Sequence, residues 1–101
     1  MPAPTLQLEP KHLSTVQEIL AKHLPHYRIW AFGSRVKHTA KPYSDLDLAI
    51  IGDKPLGLMT LATLEQAFSE SDLPFRVDLI DWATTQEHFR KIIQEHYTIL
   101  Q

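Results

Sequence analysis

The segment Asp45-Leu46-Asp47-Leu48-Ala49-Ile50-Ile51 constrains the fold more than any other part of the chain. It alternates polar and apolar residues at its start, is continuously apolar at its end, and halts at Gly52-Asp53. It therefore reads as a strand that becomes more deeply buried along its length. The flanking sequence supplies partners for it. Pro10 precedes Leu13, Val16, Leu20 and Leu24 at helical spacing and Pro25 follows, which predicts an amphipathic helix over 11–24. Tyr27 to Phe32 is short, aromatic-rich and stopped by Gly33, as a mostly buried strand would be. Leu58, Leu61, Leu64, Glu65 and Phe68 predict a helix over about 56–70, and Phe75 to Ile80 predicts a third strand. Thr84 and Glu87 have capping-box spacing, with Phe89, Ile92, Ile93 and His96 as the expected buried face of a last helix. This order gives an α/β (α+β) class, a small mixed β-sheet with flanking helices. A chain of 101 residues has the length of one domain, 1–101.

Composition removes several function classes. Ten Lys and Arg against twelve Asp and Glu leave a formal charge of -2, too balanced for an extended nucleic-acid groove. No apolar run approaches the roughly 20 residues of a membrane helix, and MPAPTLQLEP lacks a secretory pattern, so a cytoplasmic location is expected. The chain has no cysteine, which removes disulfides, thiolate nucleophiles and cysteine-ligated zinc. Chemistry must use oxygen and nitrogen groups. The six histidines, His12, His23, His26, His38, His88 and His96, show no close metal-ligand spacing.

Three carboxylates stand where strands would favour apolar residues: Asp45, Asp47 and Asp78. Strand periodicity aims Asp45 and Asp47 at one face, and two anions so placed raise each other's pKa or demand a cation. Oxygen-only ligands favour Mg²⁺ or Mn²⁺, with substrate phosphate completing the shell. An Asp-x-Asp pair alone is as compatible with a solvated strand edge. Gly33-Ser34, ten residues before Asp45 and at the end of an apolar strand, changes this. Glycine permits close backbone approach to a phosphate, and the serine hydroxyl adds a donor.

With these residues in place, the chain resembles the minimal nucleotidyltransferases of the DNA polymerase β superfamily, whose signature is Gly-Ser, ten residues, Asp-x-Asp. WAFGSRVKHTAKPYSDLDLAII, from Trp30 to Ile51, matches it, and RVDLIDW, from Arg76 to Trp82, looks like the segment that supplies the third carboxylate. The resemblance implies the polymerase β-like nucleotidyltransferase fold. It implies catalytic and metal-ligand roles for Asp45, Asp47 and Asp78, and a phosphate hold by Gly33 and Ser34. Arg35 and Lys37, with Lys41, would add charge for the triphosphate of ATP or another NTP. The implied reaction moves a nucleoside monophosphate, AMP in the first instance, to a hydroxyl acceptor. The implied partner is a separately encoded helical-bundle protein, in some systems a HEPN-type toxin whose tyrosine is adenylylated, this chain then being the antitoxin. Asp78 is expected nearest the attacking hydroxyl, and Asp81, on the opposite face, to be a surface or capping carboxylate. Members of the family commonly have glycine where this chain has His38; if positive φ is needed there, histidine can adopt it at some cost. The tail from His96 to Gln101 packs on the sheet or forms a docking surface. Two readings stay open: a transferase, and a nucleotide-binding subunit that works mainly by binding its partner.

Overall fold

Helix α1 (Pro10–His23) begins with Pro10 in its first turn and buries Val16 and Leu20, as the apolar spacing predicts. It leads into β1 (Arg28–Phe32), a four-residue helix α2 (Ser34–Lys37), β2 (Leu46–Ile51), α3 (Leu58–Ser69), β3 (Val77–Asp81), a 3-10 turn at Trp82–Thr84, α4 (Glu87–Glu95) and β4 (Tyr97–Ile99). This computed structural model describes residues 6–101. Residues 1–5, on which part of the expectation about a secretory leader rests, lie outside them.

The strands form one sheet in the order β3-β2-β1-β4. β1 runs antiparallel to both β2 and β4, and β2 runs parallel to β3 through the α3 crossover. One face is the main core: Ile29, Ala31, Leu46, Leu48 and Ile50 pack with Leu20, Leu64 and Phe68 from α1 and α3. On the other face Phe32 and Ala49 pack with Ile93 of α4, joined by Trp30, Ile80, Trp82 and Phe89. β2 is thus covered on both faces along its second half, as its unbroken apolar run requires. The arrangement is a small mixed sheet with flanking helices.

Two local expectations are corrected, and the tail joins the sheet, one of the two alternatives given for it. Thr84 does not cap α4: its hydroxyl donates to the Asp81 carbonyl oxygen (3.2 Å) inside the 3-10 turn, and Gln86 occupies the N-cap without a side-chain bond. The buried face of α4 is Phe89 and Ile93; Ile92 is 50% exposed and His96 lies past the helix, fully on the exposed side. The tail contains a strand, since Tyr97, Thr98 and Ile99 pair with Phe32, Ala31 and Trp30. Stacking of Tyr97 on Trp30, ring centroids 4.1 Å apart, adds to that pairing.

His38 follows α2 in the left-handed region, at φ 59 and ψ 34, and its backbone N–H closes on the Ser34 carbonyl oxygen. A side chain there is held at a backbone conformation that glycine enters freely. His38→Gly is expected to raise stability by about 0.5–1 kcal/mol, the relief of left-handed strain less the added chain entropy. Urea denaturation of the two proteins checks this.

Candidate active site

The site is built at one end of the sheet, on the α4 face. Register places Phe32 opposite Asp47, and Asp47 beside Asp78, so the end of β1, the start of β2 and the start of β3 lie in one row. The alternation that sends Leu46 and Leu48 into the core sends Asp47 to the opposite face. Asp45 immediately precedes β2 and is exposed.

Gly33 ends β1 at φ 83 and ψ -156, a region essentially reserved for glycine. A Cβ built there would overlap Asp47 Oδ2 and lie 3.2 Å from Asp47 Cγ. The backbone of the Gly-Ser turn is therefore packed directly against the carboxylate. Ser34, half-buried, follows Gly33 at the first position of α2.

The electrostatics follow from that crowding. Burial pushes the Asp47 carboxyl up from 3.8 to about 6, and the charges of Asp78 and Asp45 push the same way. Asp47 thus sits in the field of two further carboxylates. Among the described residues no three His, Asp or Glu side chains are already closed around one point as ion ligands. The all-oxygen donor set and the raised Asp47 pKa nevertheless fit a hard divalent cation, which would relieve the repulsion that burial amplifies.

Arg35, expected among the phosphate-binding residues, is instead 6% exposed. Its Nε and Nη2 donate to the Ser44 carbonyl oxygen (3.1 and 2.8 Å), Nη1 to that of Gln7 (2.9 Å), and Nη2 also to that of Pro42 (3.1 Å). The guanidinium carbon lies 4.3 Å from the Phe75 ring centroid. Burial lowers the guanidinium pKa, and Asp45 opposes that shift. Arg35 is a brace: it ties the segment before the first helix to the loop that delivers Asp45, and Gln7 completes the tie through both Ala40 backbone groups. No spacing in the sequence marks that role. Arg35→Ala is expected to destabilise the fold by about 2–4 kcal/mol, because three partly buried carbonyl groups lose a charged donor at once and a buried side chain is removed. Calorimetric melting of the variant measures it.

Lys37 and Lys41 are exposed, as is Tyr43 in the same loop. Asp81 is capping but not on the surface. At 9% exposure it accepts from the Leu56 N–H (2.9 Å) and the Ala83 N–H (3.3 Å), fixing the loop before α3 and the 3-10 turn. Among the described residues no helix is long and apolar enough to cross a membrane.

Comparison with known proteins gives the family and the fold. Residues 14–101 match the family model described as "Polymerase beta, Nucleotidyltransferase". The chain is 55% identical over 96 residues to the "Probable protein adenylyltransferase MntA" of Haemophilus influenzae, covering 95% of this chain and 84% of that protein. Among solved structures, a toxin-antitoxin complex with AMP-PNP superposes with a TM-score of 0.75 at 23% identity, over 88% of this chain and 72% of that one. The complex of a tri-AMPylated Shewanella oneidensis HEPN toxin with its MNT antitoxin gives 0.70 at 22% identity, over 93% and 72%. At those identities the two structures establish the fold.

Proposed function

The chain belongs to the polymerase β nucleotidyltransferase family, and on that premise we propose that it transfers AMP from ATP to a hydroxyl group of a separate, HEPN-type helical protein. The observation that carries this reading is the row itself: the Gly33-Ser34 turn packed on Asp47, with Asp78 next in register. The high identity to a protein named as a protein adenylyltransferase supports a polypeptide as acceptor. The toxin-antitoxin complexes, one of them with a HEPN toxin, support a separate HEPN-type protein as partner.

In this reading Gly33 lets the triphosphate approach the backbone, the Ser34 hydroxyl donates to a phosphate oxygen, and Lys37, exposed on α2, offers a further charge. Asp45, Asp47 and Asp78 would hold Mg²⁺ or Mn²⁺, which when bound supplies positive charge to the reacting phosphate and the leaving group. Asp78 lies on the far side of Asp47 from the phosphate turn and accepts the proton of the attacking hydroxyl. The hydroxyl oxygen forms its bond to the α-phosphorus, the bond from that phosphorus to the bridging oxygen breaks, and pyrophosphate leaves across β1.

Titration calorimetry with AMP-PNP and Mg²⁺ tests the nucleotide half. Ser34→Ala should weaken binding by about 1–2 kcal/mol, the scale of one hydrogen bond to a charged acceptor. Unchanged affinity in Ser34→Ala and Lys37→Ala together would place the triphosphate elsewhere.

A further inference from the structure

Arg76 stands between two core residues. Phe75 and Val77 both pack against the main core on the α1 and α3 face, so the side chain between them lies on the opposite face, with Asp47 and Asp78. The Leu46 N–H donates to the Arg76 carbonyl oxygen (2.9 Å) and Leu46 pairs with Val77, which sets Arg76 beside Asp45 just as Asp78 is set beside Asp47. Asp45, Asp47, Asp78 and Arg76 are therefore the four corners of one patch on the site face. Its sides are about 4.8 Å between strands and about 6.6 Å along each strand. Three corners are carboxylates, and the fourth carries a guanidinium on a side chain long enough to reach over the middle.

No group of the fold holds that guanidinium. Arg76 is exposed and, among the described residues, has neither a side-chain hydrogen bond nor an ion pair. Arg35 and Arg90, by contrast, are both engaged by backbone carbonyls.

We propose that Arg76 is a catalytic residue of the transfer, its guanidinium binding a non-bridging oxygen of the α-phosphoryl group as that group passes from pyrophosphate to the acceptor hydroxyl. The inference rests on the nucleotidyl-transfer reading and deepens it. In that reading the β- and γ-phosphates lie at Gly33-Ser34, past the end of β1, and β1 is two strand spacings, about 10 Å, from β3. Arg76 is thus on the wrong side to hold the leaving group. A neutral hydroxyl is a weak ligand for a guanidinium, whereas the phosphoryl group between the two is anionic throughout. The hydroxyl oxygen forms its bond to the α-phosphorus, its proton passes to Asp78, the bond to the bridging oxygen breaks, and pyrophosphate leaves. Charge on the non-bridging oxygens during that step is met by a planar donor fork anchored on β3, from the acceptor side, without displacing any of the three carboxylates.

The test is single-turnover transfer of α-label from ATP to a HEPN-type partner protein with Mg²⁺, repeated with each diastereomer of ATPαS, in which sulfur replaces one non-bridging α-oxygen. Arg76→Gln should slow transfer about a hundredfold and leave AMP-PNP affinity, read by calorimetry, within about threefold, with Arg76→Lys restoring part of the rate. Arg28→Gln, which removes an exposed arginine at the other end of the sheet, should change neither. The rate ratio of the two diastereomers should move at least about fivefold in Arg76→Gln, since sulfur at the contacted oxygen matters less once its donor is gone. A structural effect, or one of net charge alone, leaves that ratio in place. Transfer within about twofold of wild type, a loss lying entirely in AMP-PNP affinity, or an unmoved ratio would overturn the role of Arg76 and leave the transfer reading standing. If the wild-type chain moves no α-label, the transfer reading falls and the role of Arg76 with it.

Discussion

Asp47→Asn is expected to lower nucleotidyl transfer by roughly a thousandfold while making the cation-free protein more stable. The two effects have one cause. Burial and the charges of Asp78 and Asp45 hold the Asp47 carboxyl at about 6 against an ordinary 3.8. The folded chain therefore keeps a proton that the unfolded chain releases between those values, and stability falls as pH rises through that window. Above about pH 6 the penalty is complete. Two pKa units correspond to about 3 kcal/mol, and solvent screening of a half-buried group reduces this to roughly 1–2 kcal/mol. Asparagine cannot carry the charge, so the variant should gain that amount at pH 7.5 and nothing near pH 4. Added Mg²⁺ should stabilise the wild type at pH 7.5 more than the variant. Urea midpoints at the two pH values, with and without the cation, measure all of this. A wild-type stability that rises from pH 4 to 7 through this group would contradict the crowding of the carboxylates.

Gly33→Ala is expected to remove nucleotide binding and to destabilise the fold together. The residue sits at φ 83 and ψ -156, where a Cβ is strained even in open space, and here that Cβ would overlap Asp47 Oδ2. Either the turn shifts away from the sheet or the carboxylate swings out of its row; both separate the backbone of the turn from the Asp47 carboxylate it packs on. A stability loss of about 2–4 kcal/mol follows from backbone strain plus the clash. Triphosphate affinity should fall at least about tenfold, read by calorimetry at a temperature where circular dichroism shows the variant folded. Adding Asp47→Ala to Gly33→Ala should recover part of the stability, because the overlapping oxygen is gone, and none of the activity.

Much of this was legible in the sequence where a single periodicity governed a segment. Val16 and Leu20, the apolar end of β2 and the placement of Asp47 and Asp78 within strands each follow from local spacing, whereas the register that sets those two side by side came from the structure. Gly33 was read from the sequence only as a point of close approach for a phosphate; its positive φ and its packing on Asp47, fourteen positions later in the chain, came from the structure. Most of what escaped depended on partners distant in sequence. β4 is only three residues long, and Tyr97-Thr98-Ile99 becomes a strand because β1 offers an open edge and Trp30 a ring to stack on. Arg35 looked like one of several cations in a basic loop, and its role came from three carbonyls, one of them 28 residues earlier. Thr84 and Glu87 had capping-box spacing, but the Asp81 carbonyl oxygen drew the threonine hydroxyl into the preceding turn. His38 is the converse case: the resemblance raised the question of positive φ, and the backbone answers it at φ 59.

The most direct test of the account uses ATP labelled in turn on its α- and γ-phosphorus, incubated with this chain, Mg²⁺ and a HEPN-type partner protein. The account predicts that the partner takes up α-label and no γ-label, in step with pyrophosphate release, and that Asp47→Asn abolishes both. Uptake of γ-label, or α-label uptake that persists in Asp47→Asn, would contradict it.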